Sequence, residues 1–236
     1  MKISSFNTYH IRGIEMMNLL GELQNNGIEF DIIFVQEARP SMIEYVSKNS
    51  DFKYNYYSEV SKDFIGNGVL SKKPFTLIEE KKVKIGFNEL RSGFLIEING
   101  AKILNIHLDH KNEDTRMEQL DEFQEFIDKC DILVGDLNSL NIIDFCDPVH
   151  FDEVQSDRKL TKWELVRFDV ISRLSKLFYI PNVEDINKEF TCRFKTRIDY
   201  IMVKKSYLAE KKQHKINVEN TMGKEYSGVK NYIKLY

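Results

Sequence analysis

Short apolar runs recur along the whole chain, separated by polar, glycine or proline residues. Runs of this kind that are rich in Ile, Val and Phe are typical of buried β-strands. Asn99 and Gly100, between two of the runs, accept the positive φ values of a type I′ turn and predict a hairpin over residues 93–106. The predicted strands are 2–6, 30–36, 68–71, 93–98, 102–106, 132–134, 198–203 and 232–236.

Three other segments repeat apolar side chains at three- or four-residue steps, which is typical of the buried face of a helix. Gly27 follows the first segment and suits the left-handed position that ends a helix. Many strands with few helices between them predict an α/β fold of two packed sheets covered by helices. The repeating residues are Ile14, Met17, Leu20 and Leu23; Met117, Leu120, Phe123 and Ile127; and Trp163, Val166, Val170, Leu174 and Leu177.

The overall charge excludes a strongly basic nucleic-acid coat protein, because the chain has 34 Lys and Arg residues and 37 Asp and Glu residues, which give a formal charge of −3. The charge does not exclude a local basic groove for an anionic substrate.

No stretch reaches the roughly 20 apolar residues of a membrane-spanning helix, and the N-terminal residues lack the pattern of a signal peptide. Cys130, Cys146 and Cys192 are too widely spaced for a metal knuckle or a dense disulfide framework. We expect one domain over residues 1–236, cytoplasmic, monomeric and without membrane insertion.

Polar side chains stand at the ends of several predicted strands. Glu37, His107 and Asp136 each follow a buried run, and open sheets commonly hold their active sites at such strand ends. A carboxylate is also the ligand that a hard divalent cation takes. Because residues two apart on extended backbone face the same side, Asp136 and Asn138 are predicted to converge.

Each residue also has an ordinary structural interpretation. Asp136 can be a turn residue, His107 a hydrogen-bonded histidine and Glu37 a strand cap. Asp199 can be an ion-pair partner of Arg197 or Arg193. The recurrence of such residues at five strand ends, those of Asn7 and Asp199 included, favours a catalytic site over repeated coincidence.

The ordered motifs resemble the endonuclease/exonuclease/phosphatase superfamily of metal-dependent phosphodiesterases. Each motif is weak alone, but together they run in the family's order over most of the chain. The resemblance implies a four-layer α-β-β-α sandwich of two mixed sheets flanked by helices, with the active site at one edge between the sheets. The motifs are Ser5-Phe6-Asn7, Val35-Gln36-Glu37, Gly66 to Ser71, Asn105 to His110, Arg116 with Gln119, Gly135 to Asn138, and Thr196 to Tyr200.

The resemblance also implies roles for the strand-end residues. The counterpart of Glu37 binds Mg²⁺, with Mn²⁺ as the alternative, and the counterpart of Asn7 helps to place metal and phosphate. The residue matching Asp136 orients or deprotonates the attacking water, assisted by the amide matching Asn138. The residue matching His107 hydrogen-bonds the phosphate as negative charge builds on its oxygens.

Two further positions are implied on the substrate side and at the C-terminus. Arg91 resembles a basic residue that contacts substrate, although a solvated arginine at a strand edge is an equal interpretation. Family members usually close with Ser-Asp-His, whose histidine is held by the aspartate that Asp199 resembles. Here the best register gives Ser227-Gly228-Val229, without Asp or His. His214 is a potential replacement, but a solvated histidine in a basic loop is the simpler interpretation.

We therefore expect a magnesium-dependent phosphodiester hydrolase, an intracellular nuclease or DNA-end-processing enzyme whose partner is nucleic acid or another phosphodiester. The alternatives are a catalytically impaired protein that binds phosphate or nucleic acid, and a small-molecule phosphatase. Lysines in two basic stretches have two equal interpretations: they line a path for a nucleic-acid backbone, or they lie in solvated loops. They are Lys81, Lys82, Lys84, Lys204, Lys205, Lys211, Lys212 and Lys215. Tyr54, Tyr56 and Tyr57 are read as an aromatic strand packed on the core more readily than as a platform for bases.

Overall fold

The computed structural model describes residues 1–60, 65–85, 90–145, 147–181, 190–192 and 196–210, with the backbone of 216–217 and 229–235. The described strands form two six-stranded sheets. The strands are β1 Lys2–Asn7, β2 Ile32–Ala38, β3 Tyr54–Glu59, β4 Gly66–Ser71, β5 Thr76–Lys84, β6 Leu90–Ile98, β7 Ala101–His107, β8 Ile132–Asp136, β9 Phe178–Tyr179, β10 Asp199–Lys204, β11 Ile216–Asn217 and β12 Val229–Leu235. The first sheet has the strand order β11-β12-β1-β2-β4-β3, and the second has the order β5-β6-β7-β8-β10-β9.

Both sheets are mixed. β1 runs parallel to β2 in the first sheet and β7 runs parallel to β8 in the second, whereas the other described strand pairs are antiparallel. The carboxyl ends of parallel neighbours lie at the same edge of a sheet. Each sheet therefore delivers two consecutive strand ends to one edge, and these are the ends at which the sequence places Asn7, Glu37, His107 and Asp136.

Helices cover the outer faces of the two sheets, which completes the four layers that the resemblance implied. The helices are α1 Gly13–Asn25, α2 Pro40–Asn49, α3 Glu113–Glu122, α4 Gln124–Lys129, α5 Pro148–Leu160, α6 Asp169–Leu174 and α7 Lys205–Glu210, with a short 3-10 helix at Ile142–Asp144. Helices α1 and α2 pack on the first sheet through a cluster that includes Met16, Met42 and Val46. Helices α3, α4 and α6 pack on the second sheet through a cluster that includes Leu120, Phe126 and Leu174.

A central core lies between the sheets, and the buried strands face apolar groups on both sides. In β2, Ile32 and Phe34 point into the core between the sheets, whereas Ile33 and Val35 point to the helices. Alternate residues of a strand face opposite sides, so a strand covered on both faces reads as a continuous apolar run. The strand predicted at 30–36 is therefore confirmed, with its bounds shifted to Ile32–Ala38.

The predicted hairpin is also confirmed. Ile98 pairs with Ala101, and Asn99 and Gly100 take φ values of 52° and 75°. Gly27 ends α1 with φ 75°, and the following amide, that of Ile28, donates to the Leu23 carbonyl at 2.9 Å. No helix among the described residues is long and apolar enough to cross a membrane.

The helix predictions were only partly right. In the first segment Met16 is the fully buried residue, whereas Ile14 is 47% exposed. The second segment forms two helices that meet at Phe123. The third prediction was wrong for Trp163, Val166 and Leu177. The first two lie in irregular structure before the helix begins at Asp169, and Leu177 lies in a turn after the helix ends at Leu174. The helix α5 was not predicted, and β5 was missed because most of its residues are exposed and charged.

Candidate active site

The β2 strand ends in an irregularity that re-aims Glu37. Its pairing with β4 shifts register between Val35 and Ala38, and Glu37 itself has φ 50°. A bulge of this kind turns a side chain out of the regular alternation and is frequent beside active sites. The Glu37 carboxylate is therefore presented at the edge between the sheets, where its side chain is 25% exposed.

Asn7, at the end of β1, connects the two sheets. Its Nδ2 donates to Glu37 Oε1 at 3.2 Å and to Asp136 Oδ2 at 2.8 Å. Its Oδ1 accepts the Tyr9 amide at 3.0 Å, which fixes the orientation of the side-chain amide. Asn7 thus holds the two predicted acidic residues of the site at a defined separation.

Asp136 is buried, at 3% exposure, and both of its carboxylate oxygens accept a hydrogen bond. Oδ1 accepts the Asn138 backbone amide at 2.9 Å and Oδ2 accepts from Asn7. Burial raises the pKa of Asp136 to about 6; the Asn7 and Asn138 hydrogen bonds and the Arg91 charge oppose this rise, and the Glu37 charge adds to it. A carboxylate held in one orientation with a pKa near neutrality is suited to accept a proton from water.

Asn138 converges with Asp136 as predicted, but not on extended backbone. Asn138 lies beyond the end of β8 with φ 51°, so the chain turns back after Asp136. Its Nδ2 lies 3.3 Å from His107 Nε2 and donates to the Leu108 carbonyl at 3.1 Å. The turn, and not the two-residue alternation of a strand, brings Asn138 to the site.

His107 stands between the acidic residues and a cation. Its Nε2 lies 3.9 Å from Glu37 Oε1 and 3.8 Å from Asp136 Oδ2, and its Nδ1 lies 3.4 Å from Arg91 Nη1. Burial lowers the pKa of His107 well below its ordinary value, and the charges of Arg91 and His110 lower it further. The imidazole is therefore neutral near pH 7, with one nitrogen that donates and one that accepts.

Arg91, on β6, is buried and not a solvated strand-edge arginine. Its Nη2 lies 3.1 Å from His110 Nδ1, so the guanidinium lies between two histidines. The His110 ring in turn lies 6.1 Å from the Trp163 ring. No role was predicted for His110, although it lies in the loop directly after His107, the last residue of β7.

Asp199 is brought to the site by strand pairing. It is 7% exposed and pairs with Asp136 in the β8–β10 register, and its backbone amide donates to Thr191 Oγ1 at 3.1 Å. Arg197 is not committed to Asp199, because it makes a two-point ion pair with Asp144 at 3.1 and 2.9 Å. Ser227, Gly228, His214 and Arg193 lie outside the described residues, and β12 begins at Val229, opposite Phe6.

Arg116 and Gln119 support the loop that follows His107. Arg116 Nη1 donates to the Asp109 carbonyl at 3.0 Å, and Gln119 Oε1 accepts the Asp109 amide at 2.8 Å. Arg116 is itself paired with Glu113 at 2.7 Å and with Glu164. Both residues are buried, so they position the backbone beside His107.

The lysines of the predicted basic path that fall among the described residues mostly bind protein groups. Lys81 and Lys82 pair with Glu122 and Glu80, at 2.9 and 3.6 Å. Lys204 and Lys205 donate to backbone carbonyls. Lys211, Lys212 and Lys215 lie outside the described residues. Tyr56 donates to Glu80 at 2.6 Å and packs on Phe94, as expected of an aromatic strand on the core.

The donor set at the site fits a hard divalent cation. No group of three or more His, Cys, Asp or Glu side chains gathers as a metal cage within the described part of the chain. Mg²⁺ does not require one, because it is commonly bound by one or two carboxylates, waters and substrate phosphates. Glu37 supplies a carboxylate of this kind, with two histidines facing its oxygens at 3.7 and 3.9 Å, beyond hydrogen-bond distance.

Solved structures share this fold. A 3′ phosphatase from Neisseria, bound to a product DNA hairpin, is 13% identical, with a TM-score of 0.66 over 100% of this chain and 99% of its own. A mannosyl-6-phosphatase from Bacteroides thetaiotaomicron is 14% identical (TM-score 0.59; 100% and 99%), and a humanized D. rerio TDP2 is 14% identical (TM-score 0.53; 100% and 98%). No curated protein sequence matches the chain significantly. The model of the endonuclease/exonuclease/phosphatase family matches residues 4–220, and the chain belongs to that family.

Proposed function

We propose that this protein is a divalent-metal-dependent phosphodiester hydrolase that acts on nucleic acid, as a nuclease or a DNA-end-processing phosphodiesterase. The observation that carries the proposal is the convergence of Glu37, Asp136 and His107 from two sheets, connected by Asn7. Enzymes of the family are generally hydrolytic and generally depend on a divalent metal. Phosphoryl transfer requires mainly positioning and stabilisation of charge, which these side chains can supply.

Glu37 would hold the metal, with Asn7 fixing the carboxylate in place. When bound, a divalent cation neutralises charge on the phosphate and activates an oxygen nucleophile. The family resemblance implies Mg²⁺ as the ion, with Mn²⁺ as the alternative. Asn7 can also offer its Oδ1 to the ion, provided that this atom gives up the Tyr9 amide.

Asp136 would orient the attacking water and take its proton. The hydrogen bonds from Asn7 and the Asn138 amide hold the carboxylate, and burial keeps competing solvent away from it. Asp199, its neighbour in the next strand, would hold the local structure of this end of the site. A positioned general base contributes about 10²- to 10⁴-fold to a rate.

His107, Asn138 and Arg91 would stabilise the phosphate. Neutral His107 carries one N–H, and Asn138 has a second N–H besides the one that it gives to the Leu108 carbonyl, so each side chain has one N–H to donate to a non-bridging oxygen. Arg91 adds a positive charge behind His107, 3.4 Å from its ring. Donors fixed in advance around developing negative charge are the main electrostatic source of catalysis in such sites.

A nucleic-acid substrate is supported by the neighbour that is bound to a product DNA hairpin. A small-molecule phosphatase is the second candidate, supported by the similarly folded mannosyl-6-phosphatase. The basic path is not an argument for nucleic acid, since its described lysines mostly bind protein groups.

We expect metal-dependent cleavage in a panel of single- and double-stranded DNA, abasic DNA, RNA, a tyrosyl-linked DNA end, bis(p-nitrophenyl) phosphate and sugar phosphates, with Mg²⁺ or Mn²⁺. Glu37→Gln should lower the rate by about 10²-fold or more, because an amide binds a dication weakly. Glu44→Gln, an exposed glutamate on α2, is the matched control and should have no effect.

The preferred substrate distinguishes the nuclease from the phosphatase. If folded wild-type protein cleaves no substrate faster than Glu37→Gln does, the proposed activity is wrong. Capture of a phosphorylated ligand without turnover would then support the catalytically impaired binding protein.

A further inference from the structure

The loop after β1 holds a histidine beside Glu37. Tyr9 and His10 both take positive φ values, 42° and 64°, which non-glycine residues rarely adopt. Three backbone hydrogen bonds fix the loop: Thr8 to the Gln36 carbonyl at 2.9 Å, His10 to the Glu37 carbonyl at 3.2 Å, and Ile11 to the Thr8 carbonyl at 2.9 Å. The loop is thus attached to the same bulged strand end that presents the Glu37 carboxylate.

The His10 ring faces the Glu37 carboxylate across a gap. His10 Nε2 lies 3.7 Å from Glu37 Oε2, which is too long for a hydrogen bond. Its Nδ1 is buried and has no hydrogen-bond partner among the described residues. Two ligands of one ion, each about 2.1 Å from it, lie at most about 4.2 Å apart. The observed separation fits a cation held jointly by the imidazole and the carboxylate.

The other residues around Glu37 are less suited to this role. The Asn7 oxygen accepts the Tyr9 amide, and its NH₂ group faces Glu37 and Asp136. His107 also faces Glu37, but its ring contacts the Arg91 guanidinium, whose charge repels a dication. His10 approaches Glu37 from the other carboxylate oxygen, which His107 does not face.

We propose that the His10 imidazole is a second protein ligand of the divalent cation at Glu37, and that this site therefore prefers Mn²⁺ and later transition-metal dications to Mg²⁺. The inference rests on the proposed function for the existence of the metal site and names its ligand and metal class. Imidazole suits first-row transition metals, whereas Mg²⁺ favours carboxylates and water. One nitrogen ligand beside one carboxylate therefore shifts the selectivity of the site from Mg²⁺ toward Mn²⁺ and the later transition-metal dications.

The test is pulsed electron paramagnetic resonance on the Mn²⁺-loaded protein, which detects a coordinated imidazole nitrogen directly. The wild type should show nitrogen modulation, and His10→Asn should lose it. Mn²⁺ titration of the same proteins should give affinity about 10-fold weaker for His10→Asn, with Mg²⁺ affinity changed by less than about 3-fold. Asn tolerates positive φ, and His10→Gly is the second variant should His10→Asn unfold.

Two control variants assign the signal. His107→Asn should keep the nitrogen modulation, and Tyr9→Asn, which alters the adjacent left-handed position, should keep both modulation and affinity. Mn²⁺ that binds without nitrogen modulation, or modulation that survives His10→Asn and disappears in His107→Asn, would overturn the inference and leave the hydrolase proposal standing. Failure of the wild type to bind any divalent cation would overturn both.

Discussion

Asp136→Asn should lower kcat for phosphodiester cleavage by about 10³-fold while the protein stays folded. The amide keeps the size of the side chain and one oxygen for the Asn138 backbone amide, but it cannot take a proton from water. It also sets its NH₂ group against Asn7 Nδ2, so a hydrogen bond to Asn7 is lost. The measurement is steady-state kinetics at saturating metal on the preferred substrate of the panel.

The same variant should be at least as stable as the wild type at alkaline pH. Burial raises the pKa of Asp136 to about 6, so the folded state disfavours the charged carboxylate. The free-energy cost of burying this charge is fully present above that pH. The stability of the wild type should therefore rise as pH falls from about 6 toward the ordinary aspartate pKa of about 4, where the difference between the proteins disappears. Urea unfolding of the metal-free proteins at about pH 8 should show a gain on the order of 1 kcal/mol for Asp136→Asn.

Loss of activity together with unchanged or higher stability separates a catalytic role from a structural one. Asp51→Asn, at an exposed aspartate, is the matched control and should leave both properties unchanged. A kcat for Asp136→Asn within about 10-fold of the wild type would contradict the assignment of Asp136 as the base.

The buried strands and the place of the candidate site could be predicted from the sequence, because these strands carry apolar residues on both faces and end in chemically distinctive side chains. Glu37, His107 and Asp136 are found at the ends of such runs, and parallel pairing brings those ends to one edge. What the pattern could not show is how the chain turns after each strand. His10 and Asn138 reach the site through positive φ values, and Glu37 through a bulge.

Two of the errors have one physical cause, because hydropathy does not detect burial of polar residues or pairing of exposed ones. The helix α5 buries His150, Val154 and Arg158 at four-residue steps, so two of its three buried positions read as polar. β5 is an edge strand held by backbone pairing with β6 while most of its side chains face solvent. The error at Trp163 and Val166 is of another kind, because their apolar spacing resembles that of a helix but lies in irregular chain at the surface.

Gly135→Ala should destabilise the protein by about 3 kcal/mol or more, the range reserved for severe steric and backbone defects. Gly135 has φ 144°, a conformation that residues with a side chain rarely adopt. A Cβ atom there would also lie 1.8 Å from the Ile106 carbonyl oxygen, which belongs to backbone and cannot move independently. Since Gly135 pairs with Ile106 and with Tyr200, the defect would disrupt the strands that carry His107, Asp136 and Asp199.

Three other glycines separate the two causes. A Cβ at Gly66 would lie 1.9 Å from the Ser58 carbonyl oxygen, so Gly66→Ala tests steric conflict. Gly27 has φ 75° and open space, so Gly27→Ala should cost only about 1 kcal/mol of backbone strain. Gly21, in the middle of α1 with open space, should tolerate alanine or gain up to about 1 kcal/mol. Denaturant unfolding of the four variants should rank Gly135→Ala and Gly66→Ala well below the other two. If Gly135→Ala unfolds with the same free energy as Gly27→Ala, the close approach of β7 to β8 beside Asp136 is not a requirement of the fold.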